Sequence, residues 1–194
     1  MTVVVVAEKP SVARDIAQVV GARTRAAGWL HGNGYVVTWA IGHLVGLAQP
    51  HQMDPAWKAW HAESLPMLPE KWPLAVLEST EDQFRTVKKL IVAREVEYVV
   101  CATDAGREGE LIFRFIYEAA KCRKPVRRLW ISSLTPGAIK AGLLVMKDGR
   151  AYDSLAAAAR GRAQADWLVG MNLSRAYTIT QGDTFSVGRV QTPT

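Results

Sequence analysis

Two runs of strand-forming residues, each leading through a charged turn into a helix-like segment, constrain this chain most. The first is Val3-Val4-Val5-Val6-Ala7, which runs into Glu8-Lys9-Pro10-Ser11 and then an apolar-periodic stretch to Val20. The second is Val96-Glu97-Tyr98-Val99-Val100-Cys101, which runs into Ala102-Thr103-Asp104-Ala105-Gly106-Arg107-Glu108-Gly109-Glu110 and then Leu111 to Tyr117. A β-branched run without alternation reads as a strand buried on both faces of a parallel sheet. Ligands of open α/β sheets bind beyond the C-terminal ends of the strands. Both charged turns stand at such ends, so they are expected to converge on one crevice.

The rest of the chain agrees with that architecture. A coarse reading gives strand 3–7, helix 11–20 with Ser11 as N-cap, a short strand at 28–31 and strand 34–41. A loop-rich stretch follows, with Pro50, Pro55, Pro66, Pro69 and Pro73. Then come strand 74–79, helix 81–94, strand 96–103, helix 109–121, strand 127–132 and helix 136–146. Strands alternating with helices imply an α/β fold, a mainly parallel sheet with helices on both faces. From Tyr152 the pattern changes. Residues 154–180 are alanine-rich and free of proline, which reads as one long helix with Leu155, Ala159, Ala163, Trp167, Val169 and Met171 on its buried face. Gly182-Asp183 ends it. The expected division is residues 1–150 as one α/β domain and 151–194 as a long helix opening a second, truncated one.

The chemistry suggested by the two turns can be read from residue types. Asp104 and Glu108 flank a turn loosened by Gly106 and Gly109. Two carboxylates so placed suit Mg²⁺, which takes few protein ligands and keeps several waters. Arg107 between them suits a phosphate sharing the metal. The plain alternative is a helix N-terminus carrying acids that complement its dipole. Glu8 beside Lys9 fits proton transfer combined with phosphate binding, and the plain alternative there is a surface ion pair.

Five ordered segments carry a family resemblance. Ala7-Glu8-Lys9-Pro10-Ser11 and Thr103-Asp104-Ala105-Gly106-Arg107-Glu108-Gly109-Glu110 resemble the Toprim domain of type IA DNA topoisomerases, nearest the bacterial topoisomerase III group. Gly42-His43-Leu44, Trp130-Ile131-Ser132-Ser133-Leu134-Thr135-Pro136 and the tail Ser186 to Thr194 are similar to further segments of that family, so the resemblance runs from Val3 to Thr194. It implies a Toprim fold and an enzyme in which a tyrosine attacks one DNA strand, forming a 5′-phosphotyrosine link that is later resealed. Position by position, it implies that Glu8 is the acid/base glutamate and that Lys9 contacts the scissile phosphate. It also implies that Asp104 and Glu108, joined by Glu8, are carboxylates of a Mg²⁺ site. Arg189 and Gln191 match residues guiding single-stranded DNA, and Lys9 and Arg107 join them as DNA-binding residues. The pattern departs from the family's three acids, because Gly106 takes the middle place. The family's nucleophilic tyrosine also lies beyond the equivalent of Thr194, so the chain is expected to carry the metal and acid half of the site without the nucleophile.

Composition bounds the remaining possibilities. A length of 194 residues, 49% hydrophobic and 22% charged, is that of a globular chain with a real core. A net charge of +6 leans toward a polyanionic partner. Cys101 and Cys122 have neither zinc spacing nor the density of a disulfide scaffold. Four valines directly after Met1-Thr2 leave no basic leader region, and no apolar run reaches membrane-spanning length. A cytoplasmic protein with no membrane partner, taken as a monomer, is the expectation. Trp57, Trp60 and Trp72 are expected to pack under the proline-rich loop rather than stack bases. His43 is balanced between lining the site and a structural role. Arg23, Arg25, Arg123, Lys124, Arg127 and Arg128 are expected on a solvated surface. Competing functions are a Toprim-type metal-dependent nuclease or primase-like domain, and a DNA-binding module without chemistry. A small-nucleotide-binding domain is the weakest, since there is no phosphate-cradling glycine loop of the usual spacing.

Overall fold

The computed structural model describes residues 2–188. Strands β1 (Thr2–Ala7) and β7 (Val96–Ala102) lie side by side at the centre of a seven-stranded sheet. On one flank stand β4 (Tyr35–Trp39), β3 (Trp29–Gly32) and β2 (Thr24–Ala26), and on the other β8 (Val126–Arg128) and β9 (Lys147–Asp148). The pairs β4–β1, β1–β7 and β7–β8 are parallel, and the outer pairs are antiparallel. The buried valine run thus sits where two parallel neighbours cover its edges and helices cover its faces, which is why it needs no polar residue.

Helix α1 (Pro10–Val20) and α5 (Pro136–Leu144) cover one face, against Val3, Val5, Ala7, Val37 and Val100. Alternation along β1 turns Val4 and Val6 to the other face, where α3 (Glu81–Ile91) packs on β1 and β7 and against α4 (Arg107–Ala119). The start of α1 differs from the expected one. Lys9, in extended backbone, is the N-cap and Pro10 takes the first helical position, where its missing N–H is no loss. Ser11 is inside the helix.

Two strand expectations are also corrected. Residues 74–79 do not join the main sheet, because β6 (Leu74–Val76) pairs with β5 (Val45–Leu47) in a separate two-stranded sheet. Strand β8 ends at Arg128 rather than 132. The edge strands β2 and β9 were not foreseen, being two or three residues long with no apolar alternation.

The described chain forms two compact units. One takes the chain up to Gly46 together with Val76–Ala159, and the other takes Leu47–Ala75 together with the chain from Arg160. The second unit contains the short helix α2 (Pro50–Met53) and most of α6 (Asp153–Gln181). Its centre is aromatic. Trp72 meets Trp167 edge-on at 5.4 Å between ring centroids, and Trp57 lies 6.5 Å from the same ring. Trp167 donates its indole N–H to Ala48 O at 3.1 Å, and Asn172 bonds both backbone groups of Met67. Packing therefore explains Trp57 and Trp72, while Trp60 is half-exposed beneath the Arg175 guanidinium. On α6, Ala159 and Trp167 are buried, but Val169 is exposed, contrary to the expected face. No helix among the described residues is long and apolar enough to cross a membrane.

Candidate functional site

The acidic turn is built from beneath. Arg128, 1% exposed, donates to the carbonyls of Cys101, Thr103, Leu129 and Asp104 at 2.7–3.0 Å. Its Nε donates to Glu110 Oε2 at 3.1 Å, and Arg114 Nε donates to Glu110 Oε1 at 2.8 Å. Two guanidiniums thus pair with the one buried carboxylate, and Arg128 uses its remaining donors on the turn's backbone. Thr103 Oγ1 closes the turn by donating to Gly109 O at 2.7 Å. A Cβ at Gly109 would fall on the Asp104 backbone, so only glycine lets the helix start this close to the strand end. Arg128 thus contradicts its expected place on a solvated surface. Nothing in the local pattern marks it, because its partner Glu110 is 18 residues away.

The two charged turns meet. Glu8, 9% exposed, accepts the Asp104 backbone N–H at Oε2, 3.0 Å away. Lys9 Nζ lies 3.6 Å from Asp104 Oδ2, and both side chains are more than half exposed. His43 Nε2 lies 2.6 Å from Glu108 Oε1, which puts His43 at the site. Arg107 opens α4, exposed and without a carboxylate partner among the described residues. Arg189 and Gln191 lie outside the described residues.

The arrangement offers one buried, oriented carboxylate and two solvent-facing ones, Asp104 beside the Lys9 ammonium and Glu108 beside the His43 imidazole. Exposed pairs of this kind stabilise by at most about 1 kcal/mol, so they exchange readily for a ligand. Among the described residues, no three His, Cys, Asp or Glu side chains are already arranged to hold a metal ion. The donors are all oxygen, apart from His43, and suit a hard cation that completes its shell with water. The nearby Cys101 thiol is pushed up to about 11 by burial and stays protonated, which leaves it a packing residue.

The Toprim domain family matches residues 3–134, and the DNA topoisomerase family matches residues 150–194. DNA topoisomerase 3 of Shouchella clausii (strain KSM-K16) is 54% identical over 190 residues, 98% of this chain and 26% of that protein. DNA topoisomerase 3 of Bacillus anthracis is 50% identical over 191 residues, with the same shares, 98% and 26%. DNA topoisomerase 3 of Staphylococcus haemolyticus (strain JCSC1435) is 48% identical over 194 residues, 100% of this chain and 27% of that protein. The chain therefore spans about a quarter of the length of these relatives. Among solved structures, full-length topoisomerase I from Thermotoga maritima superposes with a TM-score of 0.65 at 24% identity, over 97% of this chain and 28% of that one, a likeness of fold. The sheet whose strand ends gather Glu8 and Asp104 is thus shared with a topoisomerase, and the matched span of 3–134 places this chain in the Toprim family, with bacterial DNA topoisomerases 3 among its relatives.

Proposed function

We propose that this chain supplies the acid/base and metal-holding half of a type IA topoisomerase site, within a topoisomerase III that breaks and rejoins single DNA strands to change DNA topology. The observation that carries the reading is the hydrogen bond from Asp104 N–H to Glu8 Oε2, which makes one site of two turns 96 residues apart. Held there and nearly buried, Glu8 protonates the departing 3′-oxygen and takes the proton back on rejoining. Lys9, whose ammonium lies in an exposed pair with Asp104, is available to the scissile phosphate. Glu8, Asp104 and Glu108 would hold Mg²⁺, and their all-oxygen chemistry fits it. When bound, that ion supplies positive charge to the phosphate during resealing. Arg107, Arg189 and Gln191 join Lys9 in contacting the DNA strand. Residues 1–150 form the Toprim domain and 151–194 open the DNA-groove domain, in a cytoplasmic protein.

The nucleophilic tyrosine belongs, in this reading, outside these 194 residues. Burial pushes the phenols of Tyr98 and Tyr117 up, away from the phenolate. Tyr35 packs on the core, and Tyr152 stacks on Trp130.

The test is incubation of the chain with supercoiled plasmid and Mg²⁺. Neither relaxed circles nor a covalent protein–DNA adduct is expected. A longer protein including the remaining length of its relatives relaxes the plasmid, and Glu8→Gln in it slows relaxation by roughly 10²–10⁴ without altering its circular dichroism. A 5′-adduct on any tyrosine of this chain overturns the reading, and metal-dependent nicking without an adduct points to a nuclease instead.

A further inference from the structure

A second cationic feature lies on the same sheet, one strand over from Glu8. Trp39 ends β4 and is the register partner of Ala7, the residue before Glu8. Leu30 pairs with Val37 and with Arg25, and Trp39 stands two residues beyond Val37. Directly paired residues, and residues two apart, share a face of a sheet. Arg25, Leu30 and Trp39 therefore share one face, and Leu30, Val37 and Trp39 pack there with α1. Helix α1 itself contributes Arg14, in its second turn beyond Lys9. Between them is a cavity of about 330 Å³ lined by Arg14, Arg25, Ala26, Trp29, Leu30 and Trp39.

The lining contains two guanidiniums and no carboxylate. Both arginines are exposed, and neither makes an ion pair among the described residues. Like charges sharing a small cavity repel, and an anion between them removes the repulsion. The rest of the lining is two indoles and aliphatic carbon, which suits a flat unsaturated ring. A nucleotide combines such a ring with an anion at this size. In duplex DNA the base faces are stacked and unavailable, whereas in a single strand they are free to lie on an aromatic side chain.

We propose that Arg14, Arg25 and Trp39 form a subsite for one nucleotide of single-stranded DNA, with its base on the Trp39 indole and its phosphate between the two guanidiniums. This rests on the reading of the chain as part of a single-strand-handling enzyme and adds a contact outside the acidic turn. The subsite lies at the same strand ends as Glu8, so one DNA strand crossing that edge engages both.

The test measures binding of a fluorescein-labelled oligothymidylate to the 194-residue chain by anisotropy at low salt. The double variant Arg14→Gln/Arg25→Gln, altered only at exposed side chains, weakens binding about fivefold or more and reduces the salt slope by about one. Trp39→Ala weakens it about fivefold or more, and Trp39→Phe less. An all-abasic oligonucleotide loses the dependence on Trp39, and 5-bromodeoxyuridine in the strand cross-links to Trp39 under ultraviolet light. Unchanged affinity in the arginine double variant, with Lys9→Ala still weakening binding, overturns the subsite but not the single-strand reading. A wild-type chain that binds no single strand overturns both. Competition by a polyglutamate peptide as effective as that by the oligonucleotide, and equally dependent on the arginines, overturns the nucleotide assignment in favour of an acidic peptide.

Discussion

Gly106 and Gly109 stand in one turn and answer to different constraints. Any side chain at Gly109 collides with the Asp104 backbone, so the turn tolerates glycine alone. Gly106 has extended backbone, with φ −177°, and nothing within 4 Å of a Cβ built there. A side chain fits, so what glycine removes at this position is a carboxylate and not a clash. Gly106→Asp is expected to fold with stability within about 0.5 kcal/mol of the parent. By adding an oxygen donor between Asp104 and Glu108, it raises Mg²⁺ affinity, measured by calorimetry. Gly109→Ala is the contrasting control and lowers stability by about 1–3 kcal/mol in urea unfolding. Equal Mg²⁺ affinity in the parent and Gly106→Asp would place the ion away from this turn.

At the scale of elements, the turn between β7 and α4 is held by β8. Arg128 reaches from the neighbouring strand to three carbonyls around the turn and to Glu110, while Arg114 ties the same carboxylate from within α4. Arg114 also meets Asp153 at 2.8 Å, at the start of α6. Removing one partner of a buried charge pair leaves the other uncompensated. Arg128→Met is expected to destabilise the protein by about 3–5 kcal/mol, read as a lower urea midpoint. Arg128→Met combined with Glu110→Leu recovers part of that loss, because no buried carboxylate then stands alone. A double variant less stable than the sum of the singles would show that the pair does not act as a unit.

At the scale of the whole molecule, the net charge of +6 and the exposed Lys9, Arg107, Arg14 and Arg25 predict attraction to phosphates with no base preference. Single-strand binding should fall roughly tenfold or more between about 50 and 200 mM salt, if three or so phosphates are neutralised. Anisotropy titrations across that range check this, and a flat profile would rule out phosphate contacts as the source of affinity.

The elements legible in advance were those with a local signature. The valine run of β1, the strand β7 and the 29-residue helix α6 declared themselves by composition and period, since burial on two faces or a low-cost helical backbone leaves its mark residue by residue. The charged turns were legible for the same reason, as breaks directly after such strands. Other features depended on partners far along the chain. Residues 74–76 have strand character, but only the third dimension decided that they pair with β5 and stay out of the main sheet. His43 and Glu108 are 65 residues apart, and no spacing rule joins them. Arg128 reads locally as a surface cation in a basic stretch. Its burial is stable because one distant carboxylate and four carbonyls arrive together to satisfy it, and that coincidence exists only in the folded chain. Sequence alone determined the central strands, the main helices and which residue types would stand at the strand ends. Tertiary structure decided which of those charges face each other, which face solvent and which lie buried, because pairing energies act through space and not along the chain.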